Sequence, residues 1–281
     1  MTVKIITDST SDISTETAQV LGITVVPGYV HFGKQIYRDR IDISNEAFYQ
    51  QVISSPFHPI TSEPTPEDFE RVFSDYYGET EGIISIHISK EISKTYNSAI
   101  KAAKKMKGHG YIEVVDSRLV SIGLGLVVME AARLANEGGG MLDILEHINK
   151  DISKIRMLGV FNTMKYLVKG ERVIKLKSAL SRMFQIKPVL KLENGNIVQE
   201  GIVHTDSYAR MIDRLYDFVR DSVSIQDLAI AHSAASEQAE ELRKRLGLIF
   251  SEEKIHINQI GAAIGVHSGP GALFVALRQS I

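Results

Sequence analysis

The sequence predicts an α/β protein in two domains. Residues 1–154 read as an N-terminal α/β domain on a parallel sheet, and residues 155–281 as a C-terminal α+β domain with a mixed sheet. Three observations predict this. Short apolar runs alternate with helical patterns through the first half, as in strand–helix–strand units. The second half changes character near Arg156 and carries an Asn194-Gly195 turn between two extended runs. The chain is 281 residues long with no repeat or low-complexity linker, so the two parts should pack closely and leave a ligand cleft at their junction.

Taken in order, Val3–Ile6 is a buried strand, followed by the polar turn Thr7-Asp8-Ser9-Thr10-Ser11-Asp12. Thr15–Leu21 is a helix stopped by Gly22, and Ile23–Phe32 is extended, with Pro27 marking an edge or bulge. Gly33-Lys34 turns the chain back along Gln35–Arg38, and Ser44 caps a helix over Asn45–Ile53. Thr65, Pro66, Glu67 and Asp68 form a helix start, with a capping hydroxyl, a proline at the first position and acids in the first turn. Gly82–Met106 is a strand that runs into a helix through Ser89, Ser93 and Thr95. Tyr111–Val115 is a strand, Val120–Asn136 an apolar helix ended by Gly138-Gly139-Gly140, and Leu142–Ile152 an amphipathic helix. In the second half, Met157–Phe161 is a strand, Thr163–Val168 a short helix and Lys175–Phe184 a basic helix. Pro188–Leu192 and Ile197–Val203 pair across Asn194-Gly195, which suits a type I′ turn. Ser207–Arg220 and Ser236–Leu246 are helices, Leu228–His232 and Ile255–Ile260 strands, and Gly261–Leu277 a glycine-rich loop passing into an apolar run.

Composition narrows the function. The 32 basic and 34 acidic residues nearly cancel, which gives no general attraction to nucleic acid or an anionic membrane. There is no cysteine, so disulfides, thiolate catalysis and thiolate metal sites are excluded. No segment is long and apolar enough to span a bilayer, and a soluble cytoplasmic protein is expected.

Several motifs fail on inspection. Gly138–Gly140 has no following Lys-Ser/Thr and sits at a helix end, where a glycine cap explains it. Gly123-Leu124-Gly125 lacks a third dinucleotide-binding glycine, and tight helix packing accounts for it. Gly265-Val266-His267-Ser268-Gly269 approaches a serine-hydrolase elbow, but the central residue is histidine. The histidines show no pair at metal-binding helical spacing, so no metal is expected. The lysines at 101, 104, 105 and 107 read as a solvated face.

Two features remain. Ser93 and Thr95 stand where a strand meets a helix N-terminus, which offers N–H and O–H donors to an anion and equally a simple cap. His267 sits among Gly265, Gly269, Pro270 and Gly271, a loop that could hold one imidazole in place. Thr61 has no local role, because Thr65 already caps the next helix.

Four stretches carry a resemblance: Thr7-Asp8-Ser9-Thr10, Thr61-Ser62-Glu63-Pro64, Ile92-Ser93-Lys94-Thr95-Tyr96-Asn97-Ser98-Ala99 and His267-Ser268-Gly269-Pro270-Gly271-Ala272. With Val115-Asp116-Ser117, Lys169-Gly170-Glu171-Arg172-Val173 and Ile186-Lys187-Pro188-Val189-Leu190, their order resembles the DegV family of bacterial fatty-acid-binding proteins across essentially the whole chain. The resemblance implies one long-chain fatty acid, such as palmitate, stearate or oleate, in an internal tunnel, with no cofactor. Thr61, Ser62, Ser93 and His267 are its implied ligand-binding residues, with Arg172 near the head group or a partner surface. The implied partner is a dihydroxyacetone-kinase-like fatty-acid kinase subunit that makes acyl phosphate for phospholipid synthesis. The chain itself is then a lipid-binding partner and has no catalytic residue. The competing class is a stand-alone kinase or acyl hydrolase using His267.

The chain departs from the family pattern at Glu63, Lys94 and Glu171. Either Glu63 turns to local backbone, or Lys94 neutralises it. The chemistry suits the ligand. Each buried CH₂ gains about 0.8 kcal/mol, so a ~16-carbon chain gains roughly 10 kcal/mol gross. Its carboxylate needs donors, which Thr61, Ser93 and His267 can supply.

Overall fold

The computed structural model describes residues 2–108, 110–170, 186–204 and 207–280. Its thirteen strands fall in a four-stranded sheet, a six-stranded sheet and a three-stranded sheet. The expected basic helix at Lys175–Phe184 and the site residue Arg172 lie outside the described residues.

The first sheet has the order β2-β1-β6-β7 and is wholly parallel: β1 (Val3–Asp8), β2 (Thr24–Val26), β6 (Gly82–His87) and β7 (Ile112–Asp116). β6 is buried along its whole length, as expected of a parallel strand covered on both faces. Alternate residues serve opposite cores. Ile6 and Ile83 face Phe69 and Phe73 of α3 (Pro66–Asp75) and Ala99 and Ala102 of α4 (Thr95–Lys105). Val3, Ile5, Ile84 and Ile86 face α5 (Ser121–Asn136) and α6 (Met141–Ile152). The capping box at Thr65 is present, with Asp68 returning to the Thr65 backbone.

The second sheet has the order β10-β9-β8-β13-β11-β12. Its strands are β8 (Ile155–Val160), β9 (Ile186–Glu193), β10 (Asn196–His204), β11 (Ile225–His232), β12 (Ile255–Gln259) and β13 (Leu273–Gln279). Only β11 and β12 run parallel, so the sheet is mixed as expected. Asn194 and Gly195 both adopt positive φ, 51° and 79°, the conformation a type I′ turn requires. One face packs on α8 (Tyr208–Arg220) and α9 (Ser236–Leu246) through Met211, Leu215, Leu242 and Leu246. The other face, with Ala229, Ala231 and Ala276, joins the same core as α5.

α5 therefore lies between the two sheets, touching β1 on one side and β13 and β11 on the other. That explains why its stretch 122–129 is apolar all round. Its glycines answer to packing. A Cβ on Gly125 would come 2.7 Å from the Ser11 carbonyl, and one on Gly123 would come 3.3 Å from Met157 Sδ.

The three-stranded sheet is a correction to the sequence reading. Ile23–Phe32 does not form one extended element. β2 stops at Val26, the chain breaks at Pro27-Gly28, and β3 (Tyr29–Phe32) joins a separate sheet with β4 (Gln35–Arg38) and β5 (Ile60–Ser62). Its inner face, Val30 and Phe32, packs on Phe48 and Tyr49 of α2 (Asn45–Ser54) and on Ala262 and Val266. The remaining helices are α1 (Thr15–Val20), α7 (Lys165–Lys169) and α10 (Ala262–Ser268). α10 is the second correction, since a loop was expected there. Among the described residues no helix is long and apolar enough to cross a membrane.

Candidate functional site

Between the second sheet, α10, β5 and the β6–α4 connection lies a cavity with about 950 Å³ of atom-free space, counted to its mouth. Its long wall is apolar. Met157, Leu190, Leu192 and Phe274 come from the second sheet and Phe161 from just past β8, and Ile88, Ile92, Val120 and Ile264 line it as well.

Thr61, Ser62, Ser93, Thr95, His267 and Ser268 belong to its polar lining together with Asp8, Thr10, Glu63 and Lys191, so the four expected site residues that are described all border the cavity. Thr61 Oγ1 lies 3.0 Å from His267 Nε2 across 206 residues of chain. The absence of a local role for Thr61 was the signal that pointed to it. Ser62 lies on the opposite face of β5, with its hydroxyl 2.8 Å from His31 Nε2.

At α4 the residue flanking the helix is Lys94, which makes no side-chain cap. Ser93 sits one residue earlier. Its Oγ is 2.9 Å from Thr95 Oγ1 and accepts from the Thr95 amide at 3.3 Å. Both hydroxyls, at the start of an 11-residue helix, border the cavity. Ser89 is otherwise engaged: its hydroxyl donates to the Gly195 carbonyl at 2.7 Å, tying this connection to the β9–β10 turn.

α10 owes its place to distant groups. It is 7 residues long and has no side-chain cap of its own. Buried Asp39, just past β4, accepts from the amides of Ala262 at 2.9 Å and Ala263 at 3.2 Å. Asp12 accepts from Gly261 N at 2.7 Å. Ala263, Ile264, His267 and Ser268 then form the cavity face of α10, the spacing one helical face requires.

Sequence reasoning missed several neighbours. Asp8 and Thr10 border the cavity, yet Asp8 is saturated with donors: Thr10 N at 3.0 Å, Thr10 Oγ1, Ile88 N at 3.3 Å and His87 Nδ1 at 2.9 Å. Lys191 borders the cavity too, but its ammonium pairs with Glu200 at 2.8 Å. Half-buried Glu63 lines the cavity and exposed Lys94 forms no ion pair with it, which removes the compensation expected between them.

Glu130, His147 and Asp151 alone among the described residues have the spacing of a metal site. The Arg278 guanidinium fills it, with Nη1 2.6 Å from Asp151 and 3.3 Å from Glu130. The guanidinium supplies the charge a cation would.

The architecture is that of a two-domain α/β protein with a largely apolar cavity whose polar lining includes hydroxyls, one imidazole, two carboxylates and a lysine. The chain belongs to the DegV family: the model of this family, described as uncharacterised, matches residues 2–279. A DegV domain-containing protein of Deinococcus radiodurans is 31% identical over 280 residues, covering 99% of this chain and 98% of that one. A Thermus thermophilus DegV family protein, whose structure is described as showing fatty acid binding, superposes with a TM-score of 0.88 at 29% identity, covering 99% of this chain and 100% of the other. A stearic-acid-binding protein of Eubacterium ventriosum shares the fold with a TM-score of 0.86 at 23% identity, covering 99% and 98% of the two chains.

Proposed function

We propose that this chain binds one long-chain fatty acid in the cavity, with the acyl chain along the apolar wall and the carboxylate at the Thr61, Ser93 and His267 end. The observation that carries the reading is the cavity lining, apolar walls with Thr61, Ser93 and His267 among the polar groups. A carboxylate taken out of water needs several donors, and these two hydroxyls and one imidazole border the same cavity. The fatty acid bound by the Thermus thermophilus relative supports it. The finer part of the proposal is that the chain presents this carboxylate to a separate ATP-dependent fatty-acid kinase subunit in the cytoplasm, and is not itself a catalyst. That part rests on the family resemblance.

One observation favours a second reading. Thr61 Oγ1 and His267 Nε2 stand at the spacing of a hydroxyl nucleophile and its base, where the sequence offered no such pair. An acyl hydrolase would use them so. Pure protein that turns over p-nitrophenyl palmitate, with the activity lost in Thr61→Val, would favour the hydrolase.

The binding reading expects organic extracts of purified protein to contain close to one fatty acid per chain by mass spectrometry. Delipidation lowers Tm, since a ligand that binds only the native state stabilises it. Ser93→Ala and His267→Ala weaken binding by about 10- to 150-fold each, the loss of one bond to a charged group. A clean extract, with Tm unmoved by added oleate or palmitate, would overturn the proposal.

A further inference from the structure

Gly170 closes α7 in an ordinary right-handed conformation, φ −74° and ψ −5°, with its amide donating to the Tyr166 carbonyl at 2.8 Å. Any L-residue adopts those angles, and glycine in helical geometry is less favourable than alanine. The backbone therefore gives no reason for a glycine here. His267 does. A Cβ on Gly170 would overlap His267 Nδ1 and lie 3.2 Å from both Cγ and Cε1.

The ring has little room to yield. Atoms of this size rest about 3.5 Å apart, so the imidazole would have to move by about an ångström. Its other nitrogen is 3.0 Å from Thr61 Oγ1, a contact that such a shift compresses or breaks. The backbone of α10 is pinned as well. Phe48 lies 2.5 Å from where a Cβ of Gly265 would stand, and Tyr166 of α7 fills the corresponding place at Gly269. α7 and α10 thus meet through paired glycines, with the imidazole set between Gly170 and Thr61.

We infer that Gly170 is a positioning residue: its missing side chain lets α7 hold the His267 imidazole against Thr61 at the carboxylate end of the cavity. The inference rests on the fatty-acid reading of that end. It adds a residue that touches no ligand and acts only through His267.

The test is Gly170→Ala, alone and in a His267→Ala background. The added methyl lowers Tm in the wild-type background, since it overpacks against a ring with little room, and keeps or raises it in the His267→Ala background, where only the backbone preference remains. In ligand-free protein the His267 Cε1–H resonance, assigned by its loss in His267→Ala, moves. Fatty-acid affinity falls by about tenfold or more, as for a lost bond to a charged group. In the His267→Ala background the added methyl changes affinity by less than about twofold, since the route through the ring is gone. A folded Gly170→Ala with an unmoved resonance overturns the inference, and so does an affinity loss that persists in full without His267. If Gly170→Ala alone fails to fold, recovery of folding by His267→Ala supports the inference, and failure in both backgrounds overturns it. Wild-type protein that binds no fatty acid would defeat the binding reading, and the resonance would still decide the positioning claim.

Discussion

Asp12 accepts from Gly261 N at 2.7 Å, Ser121 Oγ at 2.5 Å and Arg40 Nη2 at 2.9 Å, and so joins the end of β1 to α5, α10 and the three-stranded sheet. Asp12, Arg40 and Ser121 all have positive φ, at 52°, 61° and 54°, so locally unfavourable conformations gather at one junction. Complete burial pushes the Asp12 carboxyl from its ordinary 3.8 up to about 7, against the pull of the Arg40 guanidinium. An acid with a raised folded-state pKa binds more protons folded than unfolded between those two values. Its contribution to stability is full below pH 3.8 and is lost as pH rises to about 7. Asp12→Asn should therefore flatten part of the fall in Tm between those limits, and a profile parallel to wild type would contradict it. The site residues were legible to different degrees. Thr61 stood out because Thr65 had taken the cap, and His267 because of its glycines. Thr10 and Asp8 stood out as members of a turn and of a family stretch but not as cavity residues, since their neighbours at the cavity arrive from β6 and α10.

α10 shows why some elements escape a sequence reading. Its glycines at 261, 265 and 269 speak for a loop, and a helix of 7 residues is marginal alone. Its cap comes from Asp39, 223 residues away in sequence, so no local pattern announces it. The β9–β10 hairpin is the opposite case: Asn194-Gly195 encodes its own turn, and the expected pairing is present. Asp39→Ala leaves two buried amides without an acceptor and should cost roughly 2–3 kcal/mol in urea denaturation, with weaker ligand binding as His267 loses its footing. A cost below about 0.5 kcal/mol would show that α10 is held by packing alone.

At the scale of the whole molecule, the alternation of strands and helices made two α/β units legible, but not how they join. α5 belongs to a core that runs without a break from Val3 and Ile5 to Phe274 and Ala276. Its apolar surround was plain in the sequence. The second sheet it faces was not, because Ala229, Ala231 and Ala276 look like filler until the helix lies against them. Breaking either sheet exposes α5, so unfolding in guanidinium should follow one transition, coincident by far- and near-ultraviolet circular dichroism. Two separated transitions would mean that α5 stays folded on one sheet alone.

The separation of Thr61 from His267 also sets a timetable. A ribosome that has just delivered β5 must add 206 more residues before the imidazole exists, roughly 10–40 s at ordinary elongation rates. Through that interval the nascent chain has the hydroxyls without their partner, and the slot has no far wall. On the proposed reading, a fatty acid therefore meets its complete site only after the chain has been synthesised past α10.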